Sequence, residues 1–471
     1  MKMWITLAGL LIACAVPAQE KLDLQRCRQM ALENSKKLGI AQRQSAKATF
    51  EKKVYRANFF PKISGMGMYA YMQKDYSFTI DGGYLPTYVP DASGKLLPNL
   101  LLDAANRPVV GPDGNYVFRQ YAFMPDINLS LGLDNAYTVG GIVEQPVYMG
   151  GKIRSAFRMA SIGVEMAELN LKSTRAEVIT ETDEAYWQFL RLKELVVSAG
   201  KYKDVVAELV RSLTDAYQTG MASQNDLLKA QVKLNEAELL LQKAQNGKKL
   251  AEMNLCRVIG VDLETLLQVK DSLYDGITPG VLSVDGSSGV TARPEYGMLD
   301  RNIELKKSQT KLTRADFLPQ LGVSASYAWT DGISVNGEAD GMASFMAMAS
   351  LKVPVFHWGE GRNKTKAMKA EEEMSELQKE DMVRLMQLEE AKTRFNVDDA
   401  AARVRLTAKS LLQAKENLMV SKNRYEVGME SLTNYMEAQA QWQKAWSDWI
   451  DAKAELRVSE THYLRATGRL E

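Results

Sequence analysis

Two histidines, three cysteines and a few paired glycines are the residues whose types could carry chemistry in this chain. His357 and His462 lie in no spacing that a metal ion or a nucleophilic triad requires, and each reads as a structural histidine. Gly140-Gly141 and Gly150-Gly151 are followed by no phosphate-loop pattern, so they read as bends in a barrel wall. Cys14 sits near the N-terminus. That leaves Cys27 and Cys256, far apart in helical patterns, where two buried small hydrophobes are expected rather than a disulfide. No catalytic residue, metal ligand or cofactor is assigned, and the chain does not read as an enzyme. One short motif remains. Ser223-x-x-Asp226 has the spacing of a capping box, in which Asp226 satisfies backbone donors at a helix start.

The elements that carry these residues are more informative than the residues themselves. With Lys+Arg 59 against Asp+Glu 58, the net charge of +1 offers no basic stripe for nucleic acid and no acidic tail. Lys2, the apolar run Met3 to Ala13 and the small-residue site Val16-Pro17-Ala18 read as an export signal over residues 1–18. Leu11-Ile12-Ala13-Cys14 also matches a lipobox, which would lipidate Cys14. A first helix from Leu24 to Phe59 climbs ~54 Å, whereas Cys14 to Asp23 stretches back only about 35 Å. Cleavage after Ala18 is therefore the expectation. Beyond residue 18 no run approaches the ~20 apolar residues of a spanning helix. An exported chain of that kind is periplasmic, secreted or a membrane barrel.

The chain reads as two copies of one plan. Glu144-Gln-Pro-Val-Tyr-Met-Gly-Gly-Lys152 answers Lys352-Val-Pro-Val-Phe-His-Trp-Gly-Glu360, with Pro146 and Pro354 standing 208 residues apart. Tyr217-Gln-Thr-Gly-Met-Ala-Ser223 answers Tyr425-Glu-Val-Gly-Met-Glu-Ser431, and Arg257-Val-Ile-Gly260 answers Arg465-Ala-Thr-Gly468, at the same offset. A spacing kept this rigidly suits continuous paired helices, where one extra residue rotates every later contact by ~100°. A second signpost, Phe59-Phe-Pro-Lys-Ile63 against Phe317-Leu-Pro-Gln-Leu321, is offset by 258, so the first copy carries 50 additional residues. Six of the 13 prolines fall there, and about 75–125 reads as a long structured loop.

Between the signposts the period is two. Leu321, Val323, Ala325, Tyr327 and Trp329 alternate with small or polar residues, and Phe345, Ala347, Ala349, Leu351 and Val353 alternate with Ser344, Met346, Met348, Ser350 and Lys352. The first copy has Ile63 to Tyr71 and Ile127 to Leu133. That is the dyad pattern of a transmembrane barrel, and equally of a soluble sandwich if one hairpin is taken alone. After each hairpin the period becomes seven: Val164, Leu171, Val178, Ala185, Leu192, Ala199, Val206 and Leu213, repeated in the second copy through Val397, Val404, Leu411 and Leu418. A heptad sustained this far predicts coiled coil. Lys152 to Thr219 spans ~100 Å of helix. Gly220 and Gly428 end these helices, Ser223 and Ser431 cap their successors, and returning helices run over about 224–258 and 432–466. The predicted domains are a first repeat over 19–261 with a tip near 220, an equatorial linker over 262–293, and a second repeat over 294–471 with a tip near 428.

Gly220-Met221 with Asp226, Gly428-Met429, the paired Phe-x-Pro signposts and Leu22-x-Leu-x-x-Cys-x-x-Met-Ala-Leu-x-Asn34 together resemble the TolC-like outer membrane efflux family, over essentially all of the chain from Gln19. The resemblance implies a mainly α fold with a membrane part: a long coiled-coil α-helical barrel, plus two β-hairpins per chain that join in a 12-stranded trimeric β-barrel. It implies a homotrimer in the outer-membrane lipid with a long periplasmic extension. That trimer serves as exit duct for an inner-membrane pump and a periplasmic adaptor. It also implies gate positions at Asp226, Tyr425, Asn434 and Glu437, and adaptor-docking tips at Gly220, Met221, Gly428 and Met429. The second tip departs from the family's best-known gate, since Glu430 stands where an arginine would and Asn434 where an aspartate would. That gate's charge network is therefore not carried over. From the residues alone, a requirement for several copies follows, because four strands cannot close a barrel around a channel. The rival reading is a periplasmic coiled-coil adaptor or scaffold without a channel, for which one helical hairpin and no strand hairpins are expected.

Overall fold

The computed structural model describes residues 22–273 and 289–470. The export signal, Cys14 and the cleavage site after Ala18 lie outside the described residues, as does 274–288 of the equatorial segment. The chain divides into two compact units: one holds Arg154–Thr313, Arg362–Glu471 and the chain up to Tyr55, the other Arg56–Ile153 and Arg314–Gly361.

The second unit is built on strands. In chain order these are β1 (Lys62–Ala70), β2 (Tyr76–Ile80), β3 (Gly83–Pro86), β4 (Tyr88–Pro90), β5 (Leu96–Pro98), β6 (Tyr121–Met124), β7 (Ile127–Met149), β8 (Gln320–Val335), β9 (Glu338–Ala339) and β10 (Met342–Lys352). The main sheet has six strands: its path runs β1-β7-β8-β10, antiparallel throughout with β1 and β10 outermost, while β2 pairs with the start of β7 and β9 with the end of β8. The period-two pattern is realised in register. Met66 opposes Gly140, Gly140 opposes Ala328, and Ala328 opposes Ser344, which puts even-numbered residues on one face. Odd positions, among them Ile63, Tyr69, Val139, Tyr327, Trp329 and Phe345, form the apolar and aromatic face. Gly140 is no bend. A Cβ there would meet the Tyr327 carbonyl oxygen at 2.5 Å, so the glycine permits close approach of β7 to β8. Gly150 and Gly151, at φ 62° and 90°, instead make the left-handed turn out of β7.

The 50 extra residues fold as three hairpin arms. Each turn has one geometry: Asp91 N–H donates to Lys95 O and Gly94 N–H to Asp91 O, and the same two bonds recur from Asp103 and Asn106, and from Gly111 and Gly114. The fourth residue is left-handed in all three (Gly94 82°, Asn106 60°, Gly114 82°), the mark of a type I turn with a glycine-type bulge. The arms meet in a closed ring of three bonds, Leu101 N–H to Val117 O, Val117 N–H to Val109 O and Val109 N–H to Leu101 O.

The first unit is helical: α1 (Leu24–Asn34), α2 (Lys36–Ala57), α3 (Lys152–Gln218), α4 (Gln224–Ile259), α5 (Pro294–Ala315), α6 (Glu360–Glu426) and α7 (Leu432–Ala466), with α3 and α6 of 67 residues each. The heptad residues Val178, Ala185, Ala199, Val206 and Leu213 are buried. The expected single helix from Leu24 to Phe59 is broken at Ser35, which is extended and whose Oγ accepts from Leu38 N–H. Asn34 Nδ2 donates to Ile259 O, so the break lies where the chain meets the end of α4. Asp183 of α3, fully buried, accepts from Arg28 Nε at 2.7 Å and from Thr461 Oγ1 at 2.7 Å, tying α1, α3 and α7 together. Cys27 and Cys256 are free and buried, and burial pushes the Cys27 thiol up to about 12. At the equator Leu22 bridges Val269 in parallel and Tyr186 Oη donates to Asp271 at 2.6 Å.

Candidate functional site: the helix tips

Both long helices end in the same way. Gly220 (φ 76°) donates to Tyr217 O and Met221 N–H reaches back to Ala216 O at 2.7 Å; Gly428 (φ 74°) donates to Tyr425 O and Met429 N–H to Arg424 O at 2.8 Å. These are Schellman ends, in which glycine takes the left-handed position at no steric cost. Such ends usually pack an apolar residue after the glycine onto the last turn. Here Met221 is 84% exposed and Met429 75%. The methionines are presented outward.

The next helices start on serine caps. Ser223 Oγ accepts from Asp226 N–H at 3.1 Å and donates to Asp226 Oδ2 at 2.8 Å, and Ser431 Oγ accepts from Asn434 N–H at 3.2 Å. The Asp226 carboxylate therefore grips the cap hydroxyl rather than a backbone donor. It also stands in the first turn of α4, where the helix dipole favours an anion, with Lys229 Nζ 3.7 Å away.

Beneath the caps lies an apolar floor of Leu209, Leu213, Ala230, Leu432 and Tyr435. Tyr425 stacks on Tyr435 with centroids 5.2 Å apart. Burial first, and then the negative charge of Asp226, push the Tyr425 hydroxyl pKa up. The structure thus brings Asp226 and Tyr425 into one electrostatic neighbourhood. Asn434 and Glu437 stand exposed on α7, where Glu437 accepts from Gln441 one turn on. A cleft of about 620 Å³ opens beside them, with Leu418, Tyr425, Tyr435, Trp442 and Trp446 in its wall and Lys201 and Glu426 also lining it.

Tyr435 was not among the candidates that the sequence suggests. Its signal was present in the spacing of Leu432, Tyr435 and Gln439, all buried, at three and four residues. Neither histidine is among the residues of the tip floor or of the cleft beside it. His357 sits edge-on to Phe317 and 3.7 Å from Glu360, and His462 lies 3.2 Å from Glu184.

Comparison with known proteins agrees with this architecture. The family model described as "Outer membrane efflux protein" matches residues 113–261 and 294–469. The alkaline protease secretion protein AprF of Pseudomonas aeruginosa is 22% identical over 67% of this chain, and the match spans 65% of that relative's length. The pyoverdine export outer membrane protein OpmQ of the same organism is 23% identical over 70% of this chain and 67% of its own. Among solved structures, the CmeC outer membrane channel of Campylobacter jejuni superposes with a TM-score of 0.70 at 18% identity, covering 95% of this chain and 86% of that one.

Proposed function

The chain belongs to the outer membrane efflux protein family, and from that premise we propose that it is one protomer of a homotrimeric exit duct in a tripartite export system. The protein is an outer-membrane protein, and its family is one of channels and not of enzymes. The duct takes cargo from an inner-membrane pump through a periplasmic adaptor. The main sheet is one third of a 12-stranded barrel and the helices form a periplasmic tunnel. The observation that carries this reading is a sheet whose main path is four strands, β1-β7-β8-β10, with an aromatic face and with β1 and β10 outermost and open. Four strands enclose no channel, and open edges are unstable unless paired. Exposed apolar residues at heptad spacing support it further: Val232 and Leu239 on α4, Leu388 and Phe395 on α6, each at least 55% exposed.

The two halves are read as repeats, 19–261 and 294–471 about an equatorial segment 262–293, because α3 and α6 have equal length and their successors start at serine caps of one geometry. Asp226, Tyr425, Asn434 and Glu437 are assigned to a periplasmic gate, and the outward methionines of Gly220-Met221 and Gly428-Met429 to the adaptor. Detergent-extracted protein is expected to be a trimer that conducts ions in a planar bilayer. A monomer at concentrations where the bilayer conducts would overturn the reading.

A further inference from the structure

The even-numbered face of the sheet, opposite the aromatic face, is built mainly of serine, threonine, glycine and alanine, with Ile142 among them and Lys62, Glu144 and Lys352 at one end. The opposite face is the apolar and aromatic one, so this smaller and more polar face lines the lumen in the duct reading. Against that small, polar background stand five methionines, all on the two edge strands: Met66 and Met68 on β1, Met342, Met346 and Met348 on β10. Each is 49–68% exposed. Across the ladder Met66 opposes Gly140, Met68 Thr138, Met346 Ser326 and Met348 Ser324, so the residue directly opposite each of these four is small, and the one large aliphatic neighbour on this face is Ile142, diagonal to Met66.

Greasiness alone does not account for them. The opposite face uses isoleucine, valine, leucine and aromatics for that purpose, and none of these stands on the methionine strands' lumen side. What methionine adds is sulfur on a chain with three torsions. The Met-x-Met spacing occurs twice and places two thioethers on one face about 6.8 Å apart along the strand, a gap that flexible side chains close. Thioethers are soft ligands and prefer soft monovalent metals to calcium, magnesium or zinc.

We infer that Met66 with Met68, and Met346 with Met348, form thioether sites for a soft monovalent cation of the copper(I) and silver(I) class on the lumen wall. This rests on the duct reading. When β1 of one copy pairs with β10 of the next, the two Met-x-Met pairs face the same lumen at each of three seams.

Silver(I) is the probe, in nitrate buffer free of chloride and thiols. Trimer mass and bilayer conductance are measured first, and their failure counts against the duct and not against the metal site. On conducting trimer, retained silver is counted after desalting, for wild type and for Met66→Leu, Met68→Leu, Met346→Leu and Met348→Leu combined. Leucine keeps volume and apolarity but removes sulfur. Wild type is expected to retain about six silver ions more per trimer than the variant, one for each Met-x-Met pair of the three chains, and silver is expected to lower conductance only in wild type. Should the fourfold variant fail to assemble, the two double variants are compared in the same way. Equal retention by wild type and a conducting variant, or none by wild type, overturns the inference.

Discussion

The helical unit and the three-armed insertion solve the same problem, ordering a long stretch of chain, in opposite ways. In α3 and α6, of 67 residues each, every side chain's direction depends on the residues before it, and in α3 the buried heptad positions run from Val178 to Leu213. In the insertion each arm is closed by its own turn, and the three meet at their bases, where Leu101, Val109 and Val117 exchange bonds and Arg119 N–H donates to Asn99 O. Order in the first is global and in the second is local. An error should therefore travel in one and stop in the other.

The largest contrast comes from deleting one residue. Removing Glu194, buried in the middle of α3, rotates everything beyond it by ~100°. Conducting trimers should disappear from the outer-membrane fraction. Removing Asn99, which donates to Thr87 O and accepts from Arg119 N–H, should undo one arm and leave conducting trimers in place. Equal loss from both deletions would erase the distinction. Next in size is Asp183→Ala, which strands the Arg28 guanidinium among α1, α3 and α7 and should cost about 3–5 kcal/mol. Thr461→Val should cost about 1 kcal/mol. Denaturant midpoints of the helical circular dichroism signal check both, and similar midpoints would show that the network is not centred on Asp183.

At the tips the expected effect is functional rather than structural. If the proposed trimer closes at its tips, Asp226 and Glu437 would supply two rings of carboxylates around one opening, and these would attract cations. Asp226→Asn with Glu437→Gln should leave the trimer intact, abolish cation preference in single-channel recordings and weaken divalent block. Unchanged selectivity would leave Asp226 a helix cap only. The smallest effect belongs to an arm. Asp91 accepts from Ser93 Oγ and from the Ser93 and Lys95 amides, which lowers its carboxyl pKa. Because the folded value is depressed, this contribution is present above the ordinary value of 3.8 and fades as pH falls through the folded one. Asp91→Ala should speed hydrogen exchange at Ser93 and Lys95 near neutral pH, with no change at Asp103 or Asn115. A change in all three arms would mean that they are coupled.

The same contrast governs what could be read from the residues. The coil was legible because its period repeats: Val178, Ala185, Ala199, Val206 and Leu213 are buried as the heptad demands. Strand faces were legible from alternation. Tip glycines and caps were legible because their chemistry is confined to a few consecutive residues. The break at Ser35 was not read, although serine is a common N-cap, because what places it is the Asn34 contact to Ile259 over 200 residues away. In the residues the arms show only as a proline-rich structured loop. Their turns are local, but the ring that gathers them is made by valine and leucine amides, which leave no mark in side-chain pattern. Tyr435 was hidden among ordinary core positions until Tyr425 was found stacked on it.

The self-closing turns have a practical consequence for protein engineering. Ala92-Ser93, Ala104-Ala105 and Pro112-Asp113 lie between the two bonds that lock each arm, so peptide can be exchanged there while the locking residues stay. Three grafting points, each at the end of its own hairpin, make the insertion a scaffold for displaying epitope tags or binding loops one, two or three at a time.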